Sequence, residues 1–334
     1  MIPKNEVRNQ ILLLFRIFIN DIDEDGSSSW SEKYLWGLDP LEWSTDGDNI
    51  PDGYEVIHNL DPHHYSNEES NDLDSDALID KVEYDNRRHG STPNRKDIFV
   101  EVDWMVKVRK YIYSWTYVPQ LGGGGEWEPL YITKKTSYKM KEKAQFPVIK
   151  AFSRNNIGLH IDDGCMGGGG SLNKFDEKFT DSVKNALSSN TYGTGSNRGF
   201  DHTKDNFYYC VFAYKNKEGS STAYGTAYSV PGYYFVVYDA NTNNRNQKQE
   251  TEFMHELGHH LHGYNNPKYS YAYNPAASHL TKANSDTNDH NAHCPNDCSL
   301  KSSSDCGLFE IRPVDYCDEC WNSIRLDGRD GSYL

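Results

Sequence analysis

An α+β domain behind a small loop-rich module follows from three features of this chain. An acidic frame recurs three times over residues 21–84. Apolar and aromatic runs suited to strands are spread between helical patterns over 97–239. A His-Glu-x-x-His motif lies in "EFMHELGHHLHGYNN" at 252–266, on a helical pattern. Strands interleaved with helices ahead of a motif-bearing helix predict a layered α/β or α+β arrangement. The 334 residues leave room for one larger domain and a module.

Residues 1–20 form an N-terminal segment. "ILLLFRIFI" at 11–19 is its most apolar run, and Arg16 interrupts it. A membrane span needs about 20 apolar residues, so none is expected. With Lys4 and Arg8 ahead, the run resembles a signal peptide. However, "NDIDEDG" follows it instead of a small-residue cleavage site, so a buried first helix or the stub of a longer N-terminus is the reading.

Residues 21–84 hold "DIDEDGSSSWSE", "STDGDNIPDGYE" and "NDLDSDALIDKVEY". Alternate carboxylates in a short loop point inward around a hard cation, and a trailing Glu closes the shell. The expected calcium ligands are Asp21, Asp23, Asp25 and Glu32; Asp46, Asp48, Asp52 and Glu55; and Asp72, Asp74, Asp76, Asp80 and Glu83. Ser44 replaces the leading Asp of the second copy, and Ala77 the Gly of the third. A solvated acidic linker would not need three copies in phase. The segment resembles the calcium repeats of the thrombospondin type 3 kind. The net charge of −15 also argues against nucleic acid as a partner.

A basic, Pro-containing stretch, "NRRHGSTPNRKD" at 86–97, marks a boundary; 85–96 is assigned as a linker and 97–328 as the larger domain. There "DIFVEVDWM" (97–105), "IGLHID" (157–162), "FYYCVFAY" (207–214) and "YYFVVYD" (233–239) read as strands. "LGGGGEWEP" (121–129) and "DGCMGGGGS" (163–171) read as loops. Helical spacing covers 137–155, where Pro147 should kink the helix, and 178–188. His160 reads as a strand histidine, and Asp162 and Asp163 as turn residues.

On the motif helix, at 100° per residue, His259 lies about 40° and Glu256 about 100° round from His255. Phe253, Met254, Leu257 and Leu261 gather on the other side as a core stripe. One turn thus offers two imidazoles, His255 and His259, to a catalytic zinc. Glu256 is offset, placed to take a proton from a zinc-bound water as general base.

The third zinc ligand is less plain. In metzincin peptidases the motif continues as H-E-x-x-H-x-x-G-x-x-H. Here His262 stands at the Gly position and Asn265 at the last His, with Gly263 one place late. His262 is near in angle but about 7.5 Å along the axis from a metal between His255 and His259. "HCPNDCSL" and "DYCDEC" (293–320) resemble the archaemetzincin tail. That resemblance implies His293 as third ligand and Cys294, Cys298, Cys317 and Cys320 as the four tail cysteines. It departs in three ways: Gly263 and His293 are 30 positions apart, the first cysteine gap is one shorter, and Leu300 stands at the Met-turn position. His262, His290, His279 or a carboxylate remain alternatives.

"KDIFVEVDWM", "IGLHIDDG", "FYYCVFAY", "FMHELGHHL" and "VDYCDECWNSI" are similar, in order, to metzincin-like peptidases of archaea and bacteria. The resemblance implies a metzincin-like fold: a twisted mixed sheet, an active-site helix and a smaller part below the cleft. The four tail cysteines fit a second, structural zinc or disulfides, and both readings stand. Tyr271, Tyr273 and Tyr316 are candidates to stabilise an oxyanion. The expectation is a secreted or surface zinc endopeptidase acting on peptide or protein substrates. The alternative is a calcium-stiffened surface or adhesion protein with an inactive peptidase-like domain.

Overall fold

The structure, a computed structural model, describes residues 20–65, 71–172, 208–214, 225–228, 234–238, 249–261, 299, 314–322, 324 and 326. The chain divides into two compact units between Asp97 and Ile98. It is of mixed α+β type, with a largely parallel sheet and a separate antiparallel one. The expected helix at 178–188 lies outside the described residues.

The N-terminal unit is built from three acidic loops and the short helices that follow them. The first loop runs into a helical turn, Ser29–Ser31, continued by Glu32–Trp36. The second and third lead into α1 (Asp52–His58) and α2 (Asp80–Asp85). Ile50 and Leu78, at equivalent places in the second and third copies, are fully buried. The segment assigned as a linker is tied down within this unit. The Asn94 amide donates to the His58 carbonyl at 2.7 Å, its oxygen lies 2.8 Å from the His58 ring, and Arg95 pairs with Asp97 at 2.6 Å.

In the C-terminal unit, β1 (Asp97–Trp104), β4 (Gly158–Asp162), β5 (Tyr208–Ala213), β6 (Gly225–Tyr228) and β7 (Tyr234–Tyr238) form one sheet in the order β4-β1-β5-β7-β6. β5 runs parallel to β1 and β7, while β6 runs antiparallel to β7. Every residue of β5 is buried, as a central strand covered on both faces requires. Cys210 and Phe212 point into one core with Ile98, Val100 and Phe235; Tyr209, Val211 and Ala213 point into another.

Helices α3 (Glu142–Arg154) and α4 (Gln249–Leu261) cover the first of these faces. Ala144, Val148, Ala151 and Phe152 supply the apolar side of α3. Phe253, Met254, Leu257 and Leu261 supply that of α4, and all eight are buried. Full burial of side chains of this size is worth about 1.5–3 kcal/mol each for the larger ones. Pro147 lies inside α3, where the helix continues through it to Arg154. The Gln249 side chain accepts from the Lys141 N–H at 3.0 Å, tying the start of α4 to the residue before α3. A further helix, α5 (Asp318–Asn322), brings Cys320 into the same core.

One element differs from the sequence reading. β2 (Val106–Pro119) and β3 (Gly125–Ser137) form a long antiparallel hairpin. Only Gln120–Gly124 turns, and the remainder of the expected loop, through Pro129, is strand. Gly122, Gly123 and Gly124 all adopt positive φ, so the glycines mark a tight reversal. Not one residue from Val106 to Ser137 is buried. Among the described residues, no helix is long and apolar enough to cross a membrane.

Candidate functional site

The three loops share one local design. Their fourth and sixth positions lie in the left-handed region: Glu24 and Gly26, Gly47 and Asn49, Ser75 and Ala77, with φ from 61° to 100°. Gly would be cheapest there, yet four of the six residues carry side chains. The fifth-position carboxylate then accepts from the N–H two residues on: Asp25 from Ser27 (2.6 Å), Asp48 from Ile50 (2.6 Å) and Asp76 from Leu78 (2.7 Å). Folded this way, each loop turns its carboxylates inward.

Among the described residues, three acidic clusters that can hold a metal ion result: Asp21, Asp23 and Asp25; Asp46, Asp48 and Glu55; and Asp72, Asp74 and Asp76. In each, the ligand oxygens lie within 4.8 Å of one another. Asp52 and Asp80 take a different part. Asp52 accepts from the N–H of Thr45 at 2.8 Å and Asp80 from that of Leu73 at 3.0 Å, closing the loops from their far ends. Asp25 also reaches the N–H of Gly53 at 2.6 Å, and a Cβ on Gly53 would run into the Asp25–Ser27 backbone.

The closing glutamates Glu32, Glu55 and Glu83 are fully buried. Among the described residues, neither carboxylate oxygen of Glu32, Glu55 or Asp74 has a hydrogen-bond partner; nor does Oε2 of Glu83. Burial first, and then the neighbouring carboxylates, push Asp23 to about 6, Glu32 to about 7, Asp74 to about 8, Glu55 to about 9 and Glu83 to about 10. Burial raises Asp80 to about 6. A buried carboxylate is costly without a compensating partner, and a cation among these oxygens supplies one.

The second site is on α4. His255 and Glu256 are both buried. The Nδ1 of His255 lies 2.7 Å from the carbonyl oxygen of Ser299. A carbonyl only accepts, so Nδ1 carries the proton and Nε2 is the lone-pair nitrogen, the one a metal takes. Ser299 is positioned by Asp315: its N–H donates to the Asp315 carbonyl at 2.7 Å, and its Oγ accepts from the Asp315 N–H at 3.1 Å. The spacing of the motif carried no hint of either residue.

Glu256 lies against β6. A Cβ on Gly225 would collide with its Cγ and Oε1. It also lies close enough to β5 to act on Cys210, whose thiol is pushed well above its ordinary range by burial, then by the Glu256 and Asp103 carboxylates. His259 follows one turn after His255, and its side chain lies outside what the structure describes. His262, His293, Cys294 and Cys298 lie outside the described residues, as do His279, His290, Tyr271, Tyr273 and Leu300.

Among the other candidates, Tyr316 is buried and donates to the Met254 carbonyl at 2.6 Å, so it braces α4. Cys317 packs half-buried against the main core and Cys320 is fully buried in it. His160 stacks on Phe99, ring centroids 4.4 Å apart. Asp162 accepts from the N–H groups of Gly164, Met166 and Gly168, shaping the glycine-rich turn. Asp163 accepts from Gln145 at 2.8 Å and pairs with Lys139 at 3.0 Å. His260, unremarked in the sequence, is buried near the rings of Tyr208 and Phe235. No family model, no curated protein and no solved structure matches the chain.

Proposed function

We propose that the C-terminal unit is a zinc-dependent endopeptidase with a metzincin-like fold, and that the N-terminal unit is a calcium-binding module. The observation that carries the first part is the hydrogen bond from His255 to Ser299. It places a His-Glu-x-x-His histidine in the tautomer that ligates through Nε2. The proposed ligands are His255, His259 and His293. A zinc ion there would polarise the scissile carbonyl and acidify a water molecule. Glu256 is the general base: its carboxylate takes a proton from the attacking water and delivers it to the leaving amine. Glu256 lies beside Gly225 of β6, a strand that ends the sheet among the described strands, and this supports the reading. An extended peptide can align along such an edge through main-chain hydrogen bonds.

The calcium reading rests on the buried, unpartnered carboxylates of Glu32 and Glu55 beside the aspartates of their loops. All the donors are hard oxygens, which suit calcium. Imperfect frames of this kind suit roughly millimolar calcium, so an extracellular or cell-surface location belongs to the same proposal.

Glu256→Ala, with zinc occupancy measured alongside, tests the catalytic part. Cleavage of casein or a peptide library should fall about 10²- to 10⁴-fold while zinc is retained. Cleavage at the wild-type rate would remove Glu256 as the base. A wild-type protein loaded with zinc and calcium that cleaves no peptide would instead favour the surface or adhesion reading.

A further inference from the structure

The β2–β3 hairpin plays no part in either candidate site. We propose that it is a docking surface for anionic phospholipid bilayers. Directly paired residues of an antiparallel pair share a face. Ile112 pairs with Tyr131, Trp115 with Pro129, and Tyr117 with Trp127. On β3 these partners are spaced by two, so all six belong to one face. A register shift between Ile112 and Ser114 is what keeps Ile112 and Trp115 on the same side. Tyr117 and Trp127 meet edge to face at 5.5 Å. Trp115 is 53% exposed and Trp127 64%. The opposite face pairs Thr116 with Glu128 and Val118 with Glu126.

Charge identifies the occupant. The chain carries −15 overall, yet the hairpin has five cations (Lys107, Arg109, Lys110, Lys134, Lys135) against two carboxylates, Glu126 and Glu128. Lys110 and Lys135 lie on the aromatic face by register, and both carboxylates lie on the other. A face of Trp and Tyr with lysines at one end, and no acid, matches an interface of lipid headgroups over acyl chains. A single-stranded nucleic acid fits worse. It needs cations among the stacking rings, and from Ile112 through Thr133 there is none. Laid on a bilayer, the aromatic face enters the headgroup region and Lys110 and Lys135 meet phosphates, while Lys107, Arg109 and Lys134 share the far face with Glu126 and Glu128, which stay in water.

The test uses the full chain in calcium-containing buffer and co-sedimentation with two kinds of vesicle: phosphatidylcholine alone, and phosphatidylcholine with phosphatidylserine. Wild type should bind the anionic vesicles more tightly, and less so as salt is raised. Lys110→Gln with Lys135→Gln should weaken that binding about 25-fold, at roughly five-fold per cation. Trp115→Ala with Trp127→Ala should weaken binding to both vesicles about tenfold or more. These side chains are exposed, so thermal unfolding should match wild type. Wild type that stays in the supernatant overturns the proposal. So does equal binding by the lysine variant, which would point to calcium bridging from the acidic loops. A wild-type dimer without vesicles that the tryptophan variant converts to monomer assigns the face to a second copy. Retention on polysaccharide or nucleic acid without vesicle binding also overturns it.

Discussion

The imidazole of His255 and the backbone carbonyl of Ser299 meet at 2.7 Å across 44 positions of sequence. The bond selects the ring tautomer, and Asp315 holds the carbonyl in place through two hydrogen bonds to Ser299. A ligand's outer partner usually sets between ten- and a hundredfold of metal affinity. Ser299→Ala keeps the carbonyl and removes only one support. Zinc affinity should therefore drop by up to about tenfold, measured by competition with a chromogenic chelator, with kcat unchanged at saturating zinc. Unaltered affinity would mean that the Asp315 clamp does not position this carbonyl in solution.

Gly225 should be as sensitive as a catalytic residue without being one. An alanine methyl there occupies the space of the Glu256 side chain. The carboxylate must move, and a misplacement of about 1 Å can cost about 10²-fold in rate. Gly225→Ala should therefore lower kcat strongly while zinc content stays at the wild-type level. A variant with normal kcat would show that the proposed base does not act from its place beside Gly225.

The acidic loops predict an unusual pH dependence. In the folded, calcium-free chain Glu55 is raised to about 9 and Glu83 to about 10, against 4.5 when unfolded. Between those values the folded state binds more protons than the unfolded one, so stability falls as pH rises. The stabilisation is fully present below the unfolded value and lost as pH climbs through the folded ones. If the loops take calcium as proposed, calcium should reverse the trend, because it needs the ionised carboxylates and acid displaces it. Thermal unfolding of the full chain, with chelator and with calcium, from about pH 5 to about pH 9 reads both trends. Glu55→Gln, neutral throughout, should flatten the chelated profile and reduce the stabilisation by calcium. A chelated wild type that becomes more stable with rising pH would contradict the buried placement of these groups.

Features carried by consecutive residues are legible in the sequence itself. The core stripe Phe253, Met254, Leu257 and Leu261 could be placed by the helical repeat alone, and all four are buried. The recurring acidic frame marked the loops, because cluster geometry over twelve residues depends on short-range turns. The hairpin is not legible for a local reason too. Four consecutive glycines look like a long loop, and strands exposed on both faces show no clear burial alternation.

What only the tertiary structure decided are the partnerships across long stretches of chain. Asp25 with Gly53, Glu256 beside Gly225, His255 with Ser299, and Tyr316 beneath Met254 leave no periodic trace in the sequence. Spacing determines which side of a helix or loop a residue occupies, because neighbouring backbone angles are fixed together. It does not determine what the rest of the chain places opposite, because that depends on how separate elements pack, and so the site's supporting residues emerge only once the sheet and helices are assembled.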